Sequence, residues 1–411
     1  MNALTESWLV LLGGTVIDGT GGTPIRDAAI VIEGERLRYV GPRAGAQWPE
    51  TATVRQIDGL TVLPGLIDCH DHLAHTGLDI GRRAGMPYSL TVYETAQAMA
   101  DTLRNGTTTV RDAGGLDYGA VMAVEQGIVP GPRLVVSLSI LCPTGGLGDP
   151  FHRSGLTFPP EPGLPSGVVN GVEECRRAVR ELVAAGASAI KIISTGGISS
   201  PDHGPLDRQF TDAEVAAIVD EAHAWKRRVL CHAYGGDGAA AAITAGVNSI
   251  DHGGYLHQQE ELLREMADKG IFLVPTLSIT EDHKNHGTPQ KRAKAEALGE
   301  HYKRTIEAAY KLGVRVAMGT DASPYGHARN AREVRLLTEA GLTTMQAIVA
   351  STETAAACIG LEADVGTLTP GKFADLLVVD GDPLTEAGLL ERPAEFRLVL
   401  KGGTAHVDRL A

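Results

Sequence analysis

Two histidines separated by one residue, His70 and His72, close an apolar stretch that begins at Val62. In an extended strand, residues i and i+2 point to the same side, so both imidazoles can bind one metal ion. A His-x-His pair alone is weak evidence, because such pairs also occur on solvated surfaces. The pair predicts a metal site if further ligand-type residues lie at equivalent places along the chain.

Four later strand-like segments each carry one such residue, namely Lys191, His232, His252 and Asp321. In a closed barrel of parallel strands, the strand ends converge, so residues far apart in sequence share one cavity. A lysine in a buried strand is costly as a bare cation. Carboxylation by CO₂ would turn the Lys191 amine into an anionic carbamate that can bridge two metals; an ordinary ion-paired lysine is the alternative.

Residues 64–361 alternate apolar strands with helical patterns. The predicted strands are Leu66–His70, Thr108–Asp112, Arg133–Ser139, Ala189–Ser194, Arg228–His232, Ser249–His252, Phe272–Pro275 and Arg315–Thr320. Eight strands, each followed by a helix, is the count of a (β/α)₈ TIM barrel. Two segments, Cys142–Gly171 and Ser278–Lys294, are predicted as long loops of the kind that form lids or are disordered.

Both ends of the chain are rich in β structure. Short β-branched runs such as Ala28–Glu33 and Arg397–Lys401 are separated by glycine-rich turns, and Gly402 and Gly403 form a hairpin signal. We therefore expect residues 1–63 and 362–411 to form one small β-sandwich beside the barrel domain, residues 64–361. The predicted fold class is α/β, a TIM barrel with a sandwich built from both termini.

The net charge of the 411 residues is −13, which argues against nucleic acid or an anionic membrane as partner. No apolar stretch approaches the roughly 18 residues that span a bilayer. The start of the chain lacks the basic region of a signal peptide, so a cytoplasmic enzyme is expected. The five cysteines show no CxxC pair, which excludes a cysteine-type zinc site. Homo-oligomerisation stays open.

An ordered set of motifs at these strand ends resembles the amidohydrolase superfamily, specifically its imidazolonepropionase-like and prolidase-like (Xaa-Pro, Xaa-Arg type) dipeptidase branch. The motifs are Pro64–His72, Thr107–Gly115, Ile190–Gly197, Cys231–Tyr234, Ile250–Gly253, Gly319–Asp321 and Gly371–Asp380. The resemblance covers nearly the whole chain. It implies a barrel enzyme that hydrolyses amide-like bonds with the help of bound metal ions.

The resemblance also implies a ligand set for two divalent metal ions, most simply zinc. The more buried ion would be bound by His70, His72 and Asp321. The second would be bound by His232 and His252, and a carboxylated Lys191 would bridge the two.

Roles in catalysis follow from the same resemblance. A hydroxide held between the metals would attack the carbonyl carbon, and Asp321 would carry the proton to the leaving nitrogen. Tyr234 matches a tyrosine that hydrogen-bonds the substrate in related dipeptidases, with capping of its strand as the alternative. Asp112 is expected to orient His70 or His72 from behind.

Three loop histidines, His152, His203 and His327, follow strands three, four and eight and are candidate substrate contacts, although a solvated position is the default for each. Two departures from the family pattern stand out. Leu147 occupies a place where many relatives have histidine, and Asp251 replaces the more usual glutamate before His252. The first puts the usual dipeptide specificity in question.

The leading hypothesis is hydrolysis of a small amide, such as a dipeptide (including Xaa-Pro) or an N-acyl amino acid. Cyclic amides, carbamates, ureas and lactones stay open, because the same attacking hydroxide serves all of them. Deamination is disfavoured, since related deaminases lack a bridging lysine, and Lys191 is present here. A non-catalytic scaffold would have lost its ligands, whereas this chain retains the full set.

Overall fold

The computed structural model describes residues 8–74, 85–151, 154–155, 157, 162–200, 202–322 and 325–410. Its first strands are β1 (Trp8–Leu12), β2 (Thr15–Val16), β3 (Ile25–Arg26), β4 (Ala28–Glu33), β5 (Arg36–Pro42), β6 (Thr53–Gln56) and β7 (Leu60–Pro64). The next are β8 (Leu66–Asp71), β9 (Thr107–Asp112), β10 (Arg133–Val136), β11 (Ile140–Leu141), β12 (Ala189–Ile193), β13 (Arg228–Ala233), β14 (Ser249–His252) and β15 (Phe272–Val274). The last are β16 (Leu376–Asp380), β17 (Phe396–Lys401) and β18 (Thr404–Asp408).

Helices connect the strands in the middle of the chain. Within the described residues they are Tyr88–Arg104, Tyr118–Glu125, Gly171–Ala184, Asp212–Ala224, Gly236–Ala245, Glu260–Lys269, Leu277–His286, Pro289–Lys311, Arg332–Glu339, Thr344–Ala350 and Glu353–Ile359. A capping box at Thr211 begins the helix Asp212–Ala224: the Thr211 hydroxyl accepts from the Glu214 N–H, and the Glu214 carboxylate accepts from the Thr211 N–H. None of the helices in the described part of the chain is both long and apolar enough to span a bilayer.

The two chain ends form one β-sandwich, as the sequence predicts. One sheet has the order β5-β4-β1-β6, and the other has the order β18-β17-β16-β7-β2-β3, so N- and C-terminal strands share a sheet. Apolar side chains from both sheets, among them Leu11, Ile30 and Val378, form the sandwich core. Gly402 and Gly403 both adopt positive φ angles (53° and 70°) in the turn between β17 and β18, which confirms the hairpin.

The barrel strands pair in parallel in two runs, β10-β9-β8 and β11-β12-β13-β14-β15. The predicted third strand, Arg133–Ser139, is divided because the backbone leaves the extended conformation at Leu138, which has a φ of 63°. Its first half, β10, pairs with β9, and its continuation, β11, pairs with β12. The two runs together make the wall of the predicted TIM barrel.

The eighth strand, predicted over Arg315–Thr320, is an extended segment without a regular ladder. It makes one isolated bridge to β15, between Leu273 and Val316. On its other side, Met318 O accepts from Cys69 N (2.9 Å) and Thr320 N donates to His70 O (3.1 Å), so the segment still closes the barrel against β8. The Asp68 carboxylate also accepts from the Thr320 N–H and hydroxyl, which explains why side-chain bonds replace part of the ladder here.

The prediction of a long loop over Ser278–Lys294 is wrong, because this segment lies in two helices, Leu277–His286 and Pro289–Lys311. The second begins in the usual way, with Thr288 as its cap and Pro289 in its first turn. The first has no capping side chain beside it in sequence. Instead, Glu333 accepts hydrogen bonds from Leu277 N (2.7 Å), Ser278 N (2.8 Å) and the Ser278 hydroxyl (2.6 Å).

We expect Glu333→Ala to destabilise the fold by at least about 2 kcal/mol, because it leaves two buried backbone N–H groups without an acceptor. Denaturant unfolding measures the loss, and hydrogen exchange should localise it to residues 277–286. Glu339→Ala, at an exposed position of the same helix, is the matched control. Unchanged exchange in residues 277–286 would contradict the capping role.

Candidate metal centre

Three of the predicted ligands, His70, His72 and Asp321, form one compact group. Their donor atoms lie within 4.8 Å of one another. Asp321 Oδ1 is 3.6 Å from His72 Nε2 and 3.9 Å from His70 Nε2. The Asp321 N–H donates to His70 O at 2.6 Å, and its φ of 52° turns the carboxylate toward β8 at the point where the extended segment ends.

The other predicted ligands lie against this group. The His232 and His252 rings are 4.3 Å apart between centroids, and the His252 ring is 5.1 Å from that of His70. Lys191 Nζ is 3.5 Å from His70 Nε2, and its side chain is 2% exposed. The structure therefore brings all six predicted ligand positions together at the carboxyl ends of the barrel strands.

In each of the four predicted ligand histidines, one ring nitrogen contacts a group outside the ligand set. These contacts are His72 Nδ1 with Gly114 O (2.8 Å), His232 Nε2 with Gly196 O (3.0 Å), His252 Nδ1 with Thr276 Oγ1 (2.7 Å) and His70 Nδ1 with Asp251 Oδ2 (2.8 Å). A carbonyl oxygen can only accept, so it requires an N–H on the nitrogen it contacts and leaves the other nitrogen with a lone pair. Neutral imidazoles held in this way, beside a carboxylate, are a donor set that fits divalent zinc-type metals.

Burial keeps the four imidazoles neutral. It lowers the pKa of His70 and of His232 to about 3, that of His72 to about 4, and that of His252 well below its ordinary value. Burial also raises the pKa of Asp321 to about 8, against the opposing charge of Lys191. The pKa of the Lys191 amine is lowered by burial, although Asp251 acts in the other direction. The site therefore carries few charges, although it contains many ionisable groups.

Asp251 is the main functional candidate that sequence reasoning missed as a site residue. Strand alternation would place it on the face opposite to His252. His252, however, has a φ of 74°, and both side chains contact the ligand group. Despite its burial, the pKa of Asp251 is held below the ordinary value by Lys191, His70 and Arg111. The signal available in the sequence was a carboxylate next to a ligand histidine.

The prediction that Asp112 orients a ligand histidine is wrong. Its carboxylate accepts the backbone N–H groups of Leu73 (2.8 Å), Gly114 (3.0 Å) and Leu116 (3.3 Å). It acts one step further away, by fixing the backbone around Gly114, whose carbonyl oxygen accepts from His72. The acceptors that lie against His72 and His70 are Gly114 O and Asp251 respectively.

Tyr234 lies inside the site rather than at its edge. Its ring stacks on that of His252 at 5.0 Å with an 11° angle between planes, and only 3% of the residue is exposed. Burial raises the pKa of its phenol, and Tyr302 acts in the same direction. Its contact with substrate stays a prediction.

The remaining predicted positions differ in their surroundings. His327 is not solvated: its side chain is 6% exposed, with Nδ1 3.6 Å from Asp71 Oδ2. His203 lies in a loop whose carbonyls accept from Lys294, and His152 lies outside the described residues. A β-carbon on Gly197 would lie 3.1 Å from Leu147 Cδ2 and 3.3 Å from His232 Nε2, so both side chains pack closely against Gly197.

Two residues of the helices after β15 hold the neighbouring loops. His283 is 1% exposed, with Nε2 3.2 Å from Ser199 Oγ and Nδ1 2.9 Å from the Tyr325 hydroxyl. Lys294 Nζ donates to the carbonyl oxygens of Gly197, Ser200 and His203. The segment that supplies Gly196 O to His232 is therefore tied to these helices. Sequence patterns did not indicate either role.

Comparison with known proteins identifies the family. The model of the amidohydrolase family matches residues 61–405. The chain belongs to the amidohydrolase family. It is a metal-dependent hydrolase that acts on carbon–nitrogen bonds, and His70, His72 and Asp321 are its candidate metal site. The resemblance inferred from the sequence motifs is thereby confirmed.

Individual relatives cover nearly all of this amidohydrolase. The ochratoxinase of Aspergillus niger is 32% identical over 418 residues, covering 96% of this chain and 85% of the relative. A crystal structure of a prolidase complexed with N-methylphosphonate-L-proline has 35% identity and a TM-score of 0.89, covering 97% and 99% of the two chains. A Xaa-Pro dipeptidase with bound methionine in its active site has 30% identity and a TM-score of 0.86, covering 97% and 99%.

The buried His283 gives a prediction for stability against pH. Burial, helped by Lys291, lowers its pKa from 6.5 to about 4, so between these values the unfolded chain binds more protons than the folded one. Stability from neutral His283 is present above pH 6.5 and is lost as the pH falls toward 4. The stability of wild type relative to His283→Gln should therefore decrease by roughly 2 kcal/mol between pH 7 and pH 5. Denaturant unfolding of both proteins at each pH measures it; a difference independent of pH would contradict the assignment.

Proposed function

We propose that this chain is a binuclear metal-dependent amidohydrolase that cleaves an amide bond in a small substrate such as a dipeptide or an N-acyl amino acid. One observation carries the proposal: four neutral histidines, each with one nitrogen occupied from outside, surround the same space as Asp321 and Lys191. So many imidazoles buried without a metal would leave lone pairs unsatisfied in the protein interior.

In this proposal, His70, His72 and Asp321 would hold one metal ion. His232 and His252 would hold the second, and Lys191 in its carboxylated form would be a ligand shared by the two. Zinc is the metal that suits these ligands best. When bound, the two ions would lower the pKa of water and polarise the substrate carbonyl. The short distance between Lys191 Nζ and His70 Nε2, 3.5 Å, supports a position for the lysine between the two groups of histidines.

Asp321 moves the proton in the proposed reaction. Its Oδ1 accepts a proton from the attacking water and donates it to the amide nitrogen as the carbon–nitrogen bond breaks. Hydrolysis then yields a carboxylate and an amine. The Asp321 carboxylate is placed for this role, because its Oδ1 lies 3.6 Å from His72 Nε2 and 3.9 Å from His70 Nε2, beside the space proposed for the metals. Tyr234, stacked on His252, is the candidate donor to the substrate carbonyl or carboxylate.

The relatives support the substrate class. Two of the relatives that are similar over nearly the full length are a prolidase and a Xaa-Pro dipeptidase. The third is an ochratoxinase.

Metal analysis tests the proposed centre. We expect about two ions per wild-type chain, and Lys191→Ala should lose at least half of this metal because the bridging ligand is gone. Bicarbonate should promote metal uptake by stripped wild type but not by Lys191→Ala. Lys311→Ala, an exposed lysine paired with Glu307, is the control. A Lys191→Ala protein with full metal content would refute the bridge.

A substrate panel tests the reaction. Dipeptides, N-acyl amino acids with apolar acyl groups, and cyclic amides are incubated with the metal-loaded enzyme, and release of free amine is measured. We expect turnover of linear amides. Turnover confined to cyclic substrates would overturn the proposed substrate class while leaving the metal centre intact.

A further inference from the structure

Four groups converge on the carboxylate of Asp251, which is completely buried on β14. Its Oδ2 is 2.8 Å from His70 Nδ1 and 3.1 Å from Lys191 Nζ. Its Oδ1 accepts a hydrogen bond from Ser249 Oγ at 2.9 Å and faces Arg111 Nη2 at 3.4 Å. One carboxylate therefore contacts two of the proposed metal ligands with one oxygen and two supporting side chains with the other.

These contacts require a group that only accepts hydrogen bonds. The Lys191 amine and the Arg111 guanidinium are donors, and His70 Nδ1 must carry its hydrogen if Nε2 is to bind a metal. A carboxylate has enough lone pairs for four donors, whereas an amide of the same shape would turn an NH₂ group toward two of them. Since the site is buried, water cannot compensate for the mismatch.

The position of the carboxylate is fixed from three strands. Ser249 lies two residues before it on β14, and Arg111 reaches it from β9. Arg111 Nε also donates to the Cys69 carbonyl oxygen on β8 at 2.6 Å, directly before His70 in the chain. Arg111 therefore links Asp251, through hydrogen bonds, to the strand that leads into the His-x-His pair.

We propose that Asp251 is a positioning residue, which holds His70 and Lys191 from behind so that both present their ligand atoms to the metals. This inference rests on the proposed binuclear function. Carboxylation forms a bond between Lys191 Nζ and the carbon of CO₂ and releases one proton from the amine to solvent. One hydrogen stays on Nζ, and Asp251 Oδ2 accepts it. The same oxygen lies 2.8 Å from His70 Nδ1, so one carboxylate oxygen contacts both ligands.

The test compares Asp251→Asn, Asp251→Glu and wild type. Each protein is stripped of metal and titrated with zinc in bicarbonate buffer, and the carbamate is followed by ¹³C NMR with labelled bicarbonate. We expect Asp251→Asn to bind zinc at least tenfold more weakly and to lose most of the carbamate signal. Asp251→Glu keeps an acceptor-only group one methylene longer, and we expect it to recover a substantial part of both readouts.

Asp375→Asn is the matched control, because Asp375 is a buried carboxylate that accepts from Gly402 N and Arg133 without touching any proposed ligand. Its zinc affinity and carbamate signal should equal those of wild type. A folded Asp251→Asn protein that binds zinc and forms carbamate like wild type would overturn the inference. Failure of wild type itself to bind two ions would instead refute the proposed function.

If Asp251→Asn does not fold, Ser249→Ala decides the question. It removes one support of Oδ1 and leaves the carboxylate in place. We expect a stable protein with at least threefold weaker zinc binding, and affinity equal to that of wild type would overturn the positioning role.

Discussion

The burial of ionisable side chains at the carboxyl ends of the barrel strands is the constraint on which the rest of the structure depends. Histidines in this environment stay neutral because the charged form would lose its hydration. Neutral imidazoles in turn need a partner for the nitrogen that carries hydrogen. The fold supplies these partners from four places, Gly114, Gly196, Thr276 and Asp251.

Left-handed backbone positions at strand ends are part of the same arrangement. His252, Thr276 and Asp321 have φ angles of 74°, 54° and 52°. Such conformations are costly for residues with side chains, and they persist where surrounding contacts over-determine them. Here they turn a ligand, the hydroxyl that contacts it, and a carboxylate toward one centre. A regular strand could not direct two consecutive residues, such as Asp251 and His252, into the same cavity.

Much of the architecture could be predicted from the sequence because it depends on local patterns. Alternating apolar strands and helical segments predict the barrel. Because the ends of barrel strands meet, ligand-type residues at those ends are predicted to lie in one site. The helix Leu277–His286 was missed because its cap, Glu333, lies 56 residues from Leu277 in the chain. Asp251 was missed because alternation fails at a left-handed residue. The position of the eighth strand was predicted correctly. Its lack of a regular ladder was not, because the Asp68 carboxylate accepts hydrogen bonds from Thr320 that a neighbouring strand would otherwise accept.

The composite sandwich has a consequence for how the chain is made. The Thr61 hydroxyl donates to the carbonyl oxygen of Gly381, 320 residues later, and β7 pairs with β16 along its length. During synthesis β7 leaves the ribosome long before its partner β16 exists. The edge of β7 that pairs with β16 therefore stays without its partner while the whole barrel is translated. Completion of this sheet is a late event, which requires β16, β17 and β18.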